Sequence, residues 1–248
     1  MRRRFFVHQF DGSEAFLRGD TANHLIRVLR AQPGQVYELS DGERVQLGRI
    51  ERIGRGALSF KLVGEVPASQ PRLFTTLLLG IVKFDRFEWA VEKATELGVA
   101  EIVPLAAERS EKALVAAAAK RVERWKKIAL ESAQQSRRLK APMIAPPIKA
   151  DEAFPLADSS LRLLLSEERA AAQLRAVLAN REDETVTLAI GPEGGWTERE
   201  LEPARNSGFL EASLGENILR TETAVVAALA IVNFALDVRA MSQNKAGN

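Results

Sequence analysis

Residues 186–200 read Val-Thr-Leu-Ala-Ile-Gly-Pro-Glu-Gly-Gly-Trp-Thr-Glu-Arg-Glu. Val186 to Ile190 reads as a strand. Thr197 followed three positions later by Glu200 spells a capping box, so a helix starts there. Gly191-Pro192-Glu193-Gly194-Gly195-Trp196 between them is therefore a glycine loop that carries the chain from a strand to a helix N-terminus. In open α/β sheets that junction is where ligands bind. The loop has neither a Lys-Ser/Thr pair nor the spacing G-x-G-x-x-G, so it is no phosphate cradle. Glu193 among the glycines would repel a pyrophosphate. A ligand without phosphates, or one carrying positive charge, suits it better. On this stretch alone a second reading stays open, a tight turn that needs glycine only for its backbone geometry.

A second loop follows the last strand expected in the chain, Phe209 to Leu214. It reads Ser213-Leu214-Gly215-Glu216-Asn217-Ile218-Leu219-Arg220-Thr221-Glu222-Thr223-Ala224 and runs into a helix expected from about Thr221 to Ala240. From Ala224 to Leu236 that helix is apolar all round, which predicts burial on every side, in the core or against a partner chain. Arg220 and Glu222 beside so apolar a segment are costly to desolvate unless they are paired or used. A mutual ion pair or a dimer contact is the structural alternative to a catalytic role.

Outward from these loops, strands and helices alternate. Leu73 to Val82 is a buried-strand run, and Phe84 to Leu97 an amphipathic helix with Asp85 placed to cap and Glu88 three positions on. Gly98 suits the left-handed C-terminal position. A strand starts at Ile102 to Leu105, a basic helical region covers about Ala113 to Arg138, and a further strand is expected at Leu161 to Leu165. Such alternation predicts a mostly parallel sheet with helices on both faces. Ahead of it, Val36 to Leu39 and Arg44 to Ile53 form a hairpin around Asp41-Gly42. Leu58 to Val63 adds a strand, and His24, Leu25, Val28 and Leu29 mark a helix over Asp20 to Arg30. Short strands around one helix predict a small β-barrel. Pro67-Ala-Ser-Gln-Pro71 reads as a linker, giving domains over residues 1–68 and 72–242.

Composition narrows the chemistry. The 248 residues include no cysteine and two histidines, His8 and His24, which excludes disulfides, thiolate metal sites, a cysteine nucleophile and three-histidine metal sites. No metal is expected. The longest uncharged apolar stretch, Thr223 to Leu236, is too short to span a bilayer, so no membrane association is expected. Arg2, Arg3 and Arg4 are not followed by the apolar run of a signal peptide, and a cytoplasmic location is expected. Charge is uneven within a formal total of +2. Residues 1–72 and the stretch Arg109 to Lys140 are basic, the latter with 10 basic and 3 acidic side chains. Two such regions on a nearly neutral body point to a polyanion held on one face, or else to ordinary solvated helix surface.

The segments GPEGGWTERE and LGENILRTETA, in this order, resemble the RsmE-type 16S rRNA (uracil-N3)-methyltransferases of the SPOUT class. Lys83 with Asp85-Arg86 and Glu92 to Val99 resembles that family's first βα unit, and Pro104 with Glu108-Arg109-Ser110 its continuation. Trp125, Glu131 and Gln134-Gln135-Ser136-Arg137 look like its basic helix. Arg4-Phe5-Phe6 and His24 to Arg30 are similar to the PUA-like RNA-binding domain that precedes the catalytic one. The resemblance covers essentially the whole chain. Asn217 departs from it, standing where the family more often has a basic residue.

The resemblance implies a SPOUT α/β domain with a deep trefoil knot, preceded by a PUA-like β-barrel, and a homodimer formed through the knot domain and its C-terminal helix. It implies S-adenosyl-L-methionine as cofactor, leaving as S-adenosyl-L-homocysteine. The holding loops would be Leu165-Ser166-Glu167, Ile190 to Gly195 (Gly191, Pro192, Glu193 and Gly194 between) and Leu214 to Leu219, with Gly215, Asn217, Ile218 and also Thr223. The implied partner is 16S rRNA or the small ribosomal subunit. Methylation at N3 needs a base, or cations that stabilise the uracil anion. Arg220 is expected to stabilise that charge, Glu222 to orient it or accept the proton, and Arg137 to serve as a second cation. RNA contact is expected from Arg2, Arg3, Arg4, Arg27 and Arg30, and from Lys126, Lys127, Arg137, Arg138 and Lys140. His24 is expected to pack or to touch RNA. N3 lies on the Watson–Crick edge, so the target must be unpaired or flipped out. Two other classes remain in view: a ribosome-associated binding factor without chemistry, and a nucleotide-dependent oxidoreductase with Glu211 as the ribose-binding acid.

Overall fold

The computed structural model describes residues 3–68, 70–168 and 171–243. They divide into two compact units. One joins the chain up to Gln70 with Ala133–Ala141, the other Pro71–Ser132 with the chain from Pro142 onward.

The first unit holds β1 (Arg4–Phe6), β2 (Phe10–Asp11), β3 (Glu14–Arg18), α1 (Gly19–Arg27), β4 (Val36–Ser40), β5 (Val45–Gly54) and β6 (Ala57–Val66). They form one sheet in the order β1-β4-β5-β6-β3-β2, antiparallel except where β1 runs parallel to β4. The expected hairpin is β4–β5. Its turn is held by the Asp41 carboxylate, which accepts the amides of Glu43 at 3.0 Å and Arg44 at 2.8 Å. Phe5, Leu17, Leu25, Leu39, Ile50 and Phe60 make the core. Helix α1 stops at Arg27 rather than Arg30, because the Leu29 amide turns back to the His24 carbonyl and Arg30 takes a left-handed φ of 50°.

Residues 133–141 return to this unit, so the second body is not the continuous 72–242 that the linker alone predicts. The reason is hydrogen bonding. Arg4 donates to the Arg137 carbonyl, and the Ser40 hydroxyl to the Leu139 carbonyl at 2.6 Å.

The second unit contains β7 (Phe74–Gly80), α2 (Phe84–Glu96), β8 (Glu101–Ala106), α3 (Lys112–Ala118) and α4 (Val122–Gln135), whose last residues reach the first unit. It continues with β9 (Met143–Ile144), β10 (Ile148–Lys149), α5 (Ala150–Ala153), β11 (Leu161–Leu165), β12 (Ala172–Gln173) and α6 (Leu174–Val177). It ends with β13 (Thr185–Ile190), α7 (Glu198–Asn206), β14 (Leu210–Ser213) and α8 (Thr221–Gln243). The sheet order is β10-β8-β7-β13-β11-β14-β12, with β9 beside β8, and every pairing is parallel. Successive strand residues point to opposite faces. Leu77, Leu79, Leu163 and Leu188 enter a core with Phe87, Trp125, Val225 and Leu229, while Leu78, Leu164 and Ala189 enter another with Phe154, Trp196 and Leu201. Helices thus cover both faces, as the alternation predicts.

Two local expectations are corrected, and a third stays open. Lys83, not Asp85, is the N-cap of α2; Asp85 lies in its first turn, and Glu88 closes no capping box but pairs with Arg124 at 2.6 Å and Arg121 at 3.7 Å. The basic region is two helices joined by a 3-10 turn at Ala119–Arg121. Helix α8 buries one side against α2, while its other side leaves Phe234 76% exposed and Ala230 exposed, so it is not covered all round within this chain. Among the described residues no helix is long and apolar enough to cross a membrane.

Candidate active site

Parallel strands carry the loops that leave their C-terminal ends to one edge of the sheet. Here the loops after β11, β13 and β14 meet. The Trp196 indole N–H donates to the Leu165 carbonyl at 2.9 Å, the Ser166 amide to the Ala212 carbonyl at 2.9 Å, and the Thr221 hydroxyl to the Gly191 carbonyl at 3.1 Å. Glycine is needed at two points. Gly195 has φ 69°, and its amide closes the turn onto the Pro192 carbonyl at 2.9 Å. Gly80, at the end of β7, lies so close that a Cβ there would stand 2.6 Å from the Pro192 nitrogen.

Between the loops lies a cavity of about 330 Å³. Every expected cofactor contact except Thr223 lines it: Leu165, Ser166 and Glu167, then Ile190 to Gly195, then Leu214 to Leu219. Thr223 is a correction. It faces solvent on α8, and the buried Thr221, two residues earlier, takes the place in the wall. Reading the residues missed Arg109, Glu168, Trp196, Leu201, Thr221 and Ala224, which also line it. Among the described residues the charged side chains of the wall are Glu167, Glu168, Glu193 and Glu216 with the guanidinium of Arg109, Glu193 being paired with Arg86. That balance disfavours a polyphosphate and favours a ligand with positive charge.

Arg109 is placed by a chain of contacts. The capping carboxylate of Glu200 accepts from the Thr197 amide at 2.9 Å and from the Glu108 amide at 2.9 Å, tying the segment after β8 to the start of α7. The Arg109 guanidinium then donates to the Gly194 carbonyl at 2.7 Å.

Of the catalytic candidates, Arg220 is exposed and Glu222 is largely buried. They do not form the mutual ion pair considered above. The cation facing Glu222 is Arg86 of α2, at 3.9 Å, which also pairs with Glu193 in the glycine loop. Arg137 belongs to the first unit, where it lies 3.9 Å from Glu38. Arg86 went unrecognised as a site residue. The acid in the glycine loop signalled a need for a cation, but not which one.

Of the RNA candidates, Arg2 lies outside the described residues. Arg3, Arg27 and Arg30 are exposed, and His24 is half-buried on α1. Arg4 is a correction: it is buried, 3.0 Å from Glu38, and is spent inside the unit rather than offered to a phosphate. Lys127 and Lys140 are exposed, and the exposed Lys126 pairs with Glu123 at 2.9 Å. Arg138 is partly buried, and burial pushes its pKa down to about 10.

A parallel sheet with helices on both faces and its cavity at the loops after β11, β13 and β14 is the α/β methyltransferase fold, and comparison with known proteins identifies it as such. A crystal structure of a ribosomal RNA small subunit methyltransferase E from Neisseria gonorrhoeae, bound to S-adenosyl methionine, matches with a TM-score of 0.83 and 30% identity over 95% of this chain and 98% of that one. A putative methyltransferase of Legionella pneumophila in complex with the bound cofactor SAM matches with a TM-score of 0.84 and 28% identity over 95% and 98%. A ribosomal RNA small subunit methyltransferase E of Mesomycoplasma hyopneumoniae is 31% identical over 90% of this chain and 95% of its own. The model of the RNA methyltransferase domain matches residues 69–233. The chain belongs to the RNA methyltransferases of the ribosomal RNA small subunit methyltransferase E type.

Proposed function

We propose that the protein methylates N3 of a specific uridine in the 16S rRNA of the small ribosomal subunit, using S-adenosyl-L-methionine. The observation that carries this is the cavity itself, walled by three loops in a chain of this family, where the described residues bring four carboxylates and one guanidinium. A sulfonium with an α-amino acid tail and no phosphate suits that charge. Leu165, Ile190, Leu214, Leu219 and Ala224 supply apolar walls for its adenine. Bound there, the cofactor supplies an electrophilic methyl whose bonding pair stays on sulfur as S-adenosyl-L-homocysteine leaves.

The residues of the chain do the rest. The loops hold and orient, so most of the rate comes from positioning. Glu222 accepts the proton of the pyrimidine N3–H, and Arg220 stabilises the negative charge that develops on the ring. Exposed Arg3, Arg27, Arg30, Lys126, Lys127 and Lys140 bind phosphates. His24 packs in the first unit.

In this reading residues 1–68 with 133–141 are a PUA-like barrel, and the rest of 72–242 is a knotted SPOUT domain. The strand order supports the knot: β11 lies between β13 and β14, so the chain from β13 to β14 crosses β11 and then returns past the loops after both strands to begin α8. The uncovered apolar side of α8 supports a homodimer. A ribosomal substrate sets the work in the cytoplasm. The test is mass spectrometry of nucleosides from small subunits and from bare rRNA incubated with the protein and labelled cofactor. A labelled 3-methyluridine is expected; no labelled uridine in either substrate overturns the proposal.

A further inference from the structure

Arg109 is exposed, yet its position is fixed from several sides. Both chain neighbours are tied down: the Glu108 amide donates to the Glu200 carboxylate at 2.9 Å, and the Ser110 hydroxyl to the Ile81 carbonyl at 2.8 Å. The stem of Arg109 lies along Gly194, where a Cβ would stand 3.0 Å from Arg109 Cβ and 3.3 Å from its Cδ. Gly194 has no positive φ, so room for this side chain, not backbone geometry, is what requires glycine there. Nη1 donates to the Gly194 carbonyl at 2.7 Å. A guanidinium has five N–H donors, and among the described residues no carboxylate pairs with this one. It is therefore presented, with donors left over, to a cavity that it lines. Of the carboxylates in that wall Glu193 is paired with Arg86, which leaves Glu167, Glu168 and Glu216. These suit the two positive centres of S-adenosyl-L-methionine, its sulfonium and its ammonium, but would repel its one carboxylate. Among the described residues of the wall only Arg109 carries the charge to receive it.

We infer that Arg109 reads the amino acid tail of the cofactor, its guanidinium receiving the α-carboxylate from a seat on the Gly194–Gly195 pair. The inference rests on the methyl-transfer reading above for the identity of that cofactor. A guanidinium meets a carboxylate through two parallel N–H···O bonds, a planar match that a lysine ammonium lacks. The bond to Gly194 and the two tied neighbours set the guanidinium in advance, so little freedom is lost when the ligand arrives. The arrangement also serves the reaction. The apolar walls hold the adenosine while Arg109 holds the tail, which fixes two of the three groups on sulfur and with them the direction of the methyl.

Calorimetry with three ligands reads this without turnover: S-adenosyl-L-homocysteine, its decarboxylated form, and methylthioadenosine, which has a methyl in place of the tail. The parent protein should bind S-adenosyl-L-homocysteine about ten- to a hundredfold more tightly than the decarboxylated form. Arg109→Gln should abolish that preference and leave the affinity for methylthioadenosine unchanged, and Arg109→Lys should keep part of the preference. A parent without the preference overturns the inference, and that measurement needs no variant to fold. A folded Arg109→Gln that keeps the preference overturns it too, and a simultaneous loss of RNA affinity would then place the guanidinium on a phosphate. Equal weakening of all three ligands would make Arg109 a support of the glycine loop alone, which also overturns it. Arg169, outside the described residues, supplies the control: Arg169→Gln should keep the preference, and losing it there but not in Arg109→Gln overturns the assignment. If the ligands behave as expected but no methyl reaches rRNA, Arg109 keeps its role and the rRNA reading falls instead.

Discussion

The hydroxyl of Thr221 donates to the carbonyl of Gly191 at 3.1 Å, joining the start of α8 to the start of the glycine loop across 30 residues of sequence. Both residues line the cavity, and Thr221 is buried. Thr221→Val keeps the shape and deletes the donor, leaving a carbonyl with an unmet bond at a cost of about 1–3 kcal/mol. Calorimetry should show the affinity for S-adenosyl-L-methionine falling roughly tenfold, about 1.4 kcal/mol. An unchanged affinity would mean that the two loops are aligned by packing alone.

Gly80 tests the same wall from the neighbouring strand. A Cβ there would meet the Pro192 nitrogen at 2.6 Å and the Gly191 carbonyl carbon at 2.8 Å, both backbone atoms that can yield only by moving the loop. Gly80→Ala should destabilise by about 1–3 kcal/mol and abolish cofactor binding in the fraction that stays folded. Gly98→Ala is the control. Its φ of 92° is strained for alanine, but a Cβ would meet nothing within 4 Å. That variant should lose stability in denaturant titration and still bind cofactor normally.

What the sequence made legible was local. The glycine loop and its capping box lie within a few residues of each other, so their chemistry could be read in order along the chain. Strand edges around Val186 and Leu161 followed from apolar runs. Arg86 and Arg109 were opaque because their partners come from distant parts of the chain; Arg109 meets Gly194 85 positions away. Which strands lie side by side decides such meetings, and that order has no signature in spacing. Arg4 shows the same limit. Beside Arg3 it reads as one cationic cluster, yet the parallel pairing of β1 with β4 sets it opposite Glu38 and turns it inward.

That difference separates two kinds of arginine in the first unit by experiment. Arg4→Ala takes the 3.0 Å partner from buried Glu38 and leaves it only the 3.9 Å contact with Arg137, and breaking a buried pair costs up to about 3–5 kcal/mol. Denaturant unfolding should show the loss, and conditions that keep the variant folded should leave its RNA salt dependence unchanged. Arg27→Ala and Arg30→Ala touch exposed side chains and should leave stability alone. Each should weaken RNA binding and reduce the slope of log K against log salt by about 0.7 for a single-stranded target. A flat response in both would move the RNA face elsewhere on the molecule.

The outer side of α8 gives the last test. Phe234 is 76% exposed, and Ala230, one turn before it, is exposed as well. Leaving a phenylalanine that open forgoes about 2 kcal/mol of burial, which a second copy of the helix would recover. Phe234→Asp should therefore turn a dimer into a monomer at micromolar concentration in sedimentation equilibrium, a loss of about 2–4 kcal/mol in association. Thermal unfolding should fall only to the extent that it depends on protein concentration, because Phe234 supports nothing in the core of its own chain. A wild-type chain that sediments as a monomer, or a variant that stays dimeric, removes α8 as the contact. If the monomer forms and still binds cofactor, the cavity is complete within one chain; if binding is lost with the dimer, the partner must hold the loop that carries Ile218, itself 76% exposed.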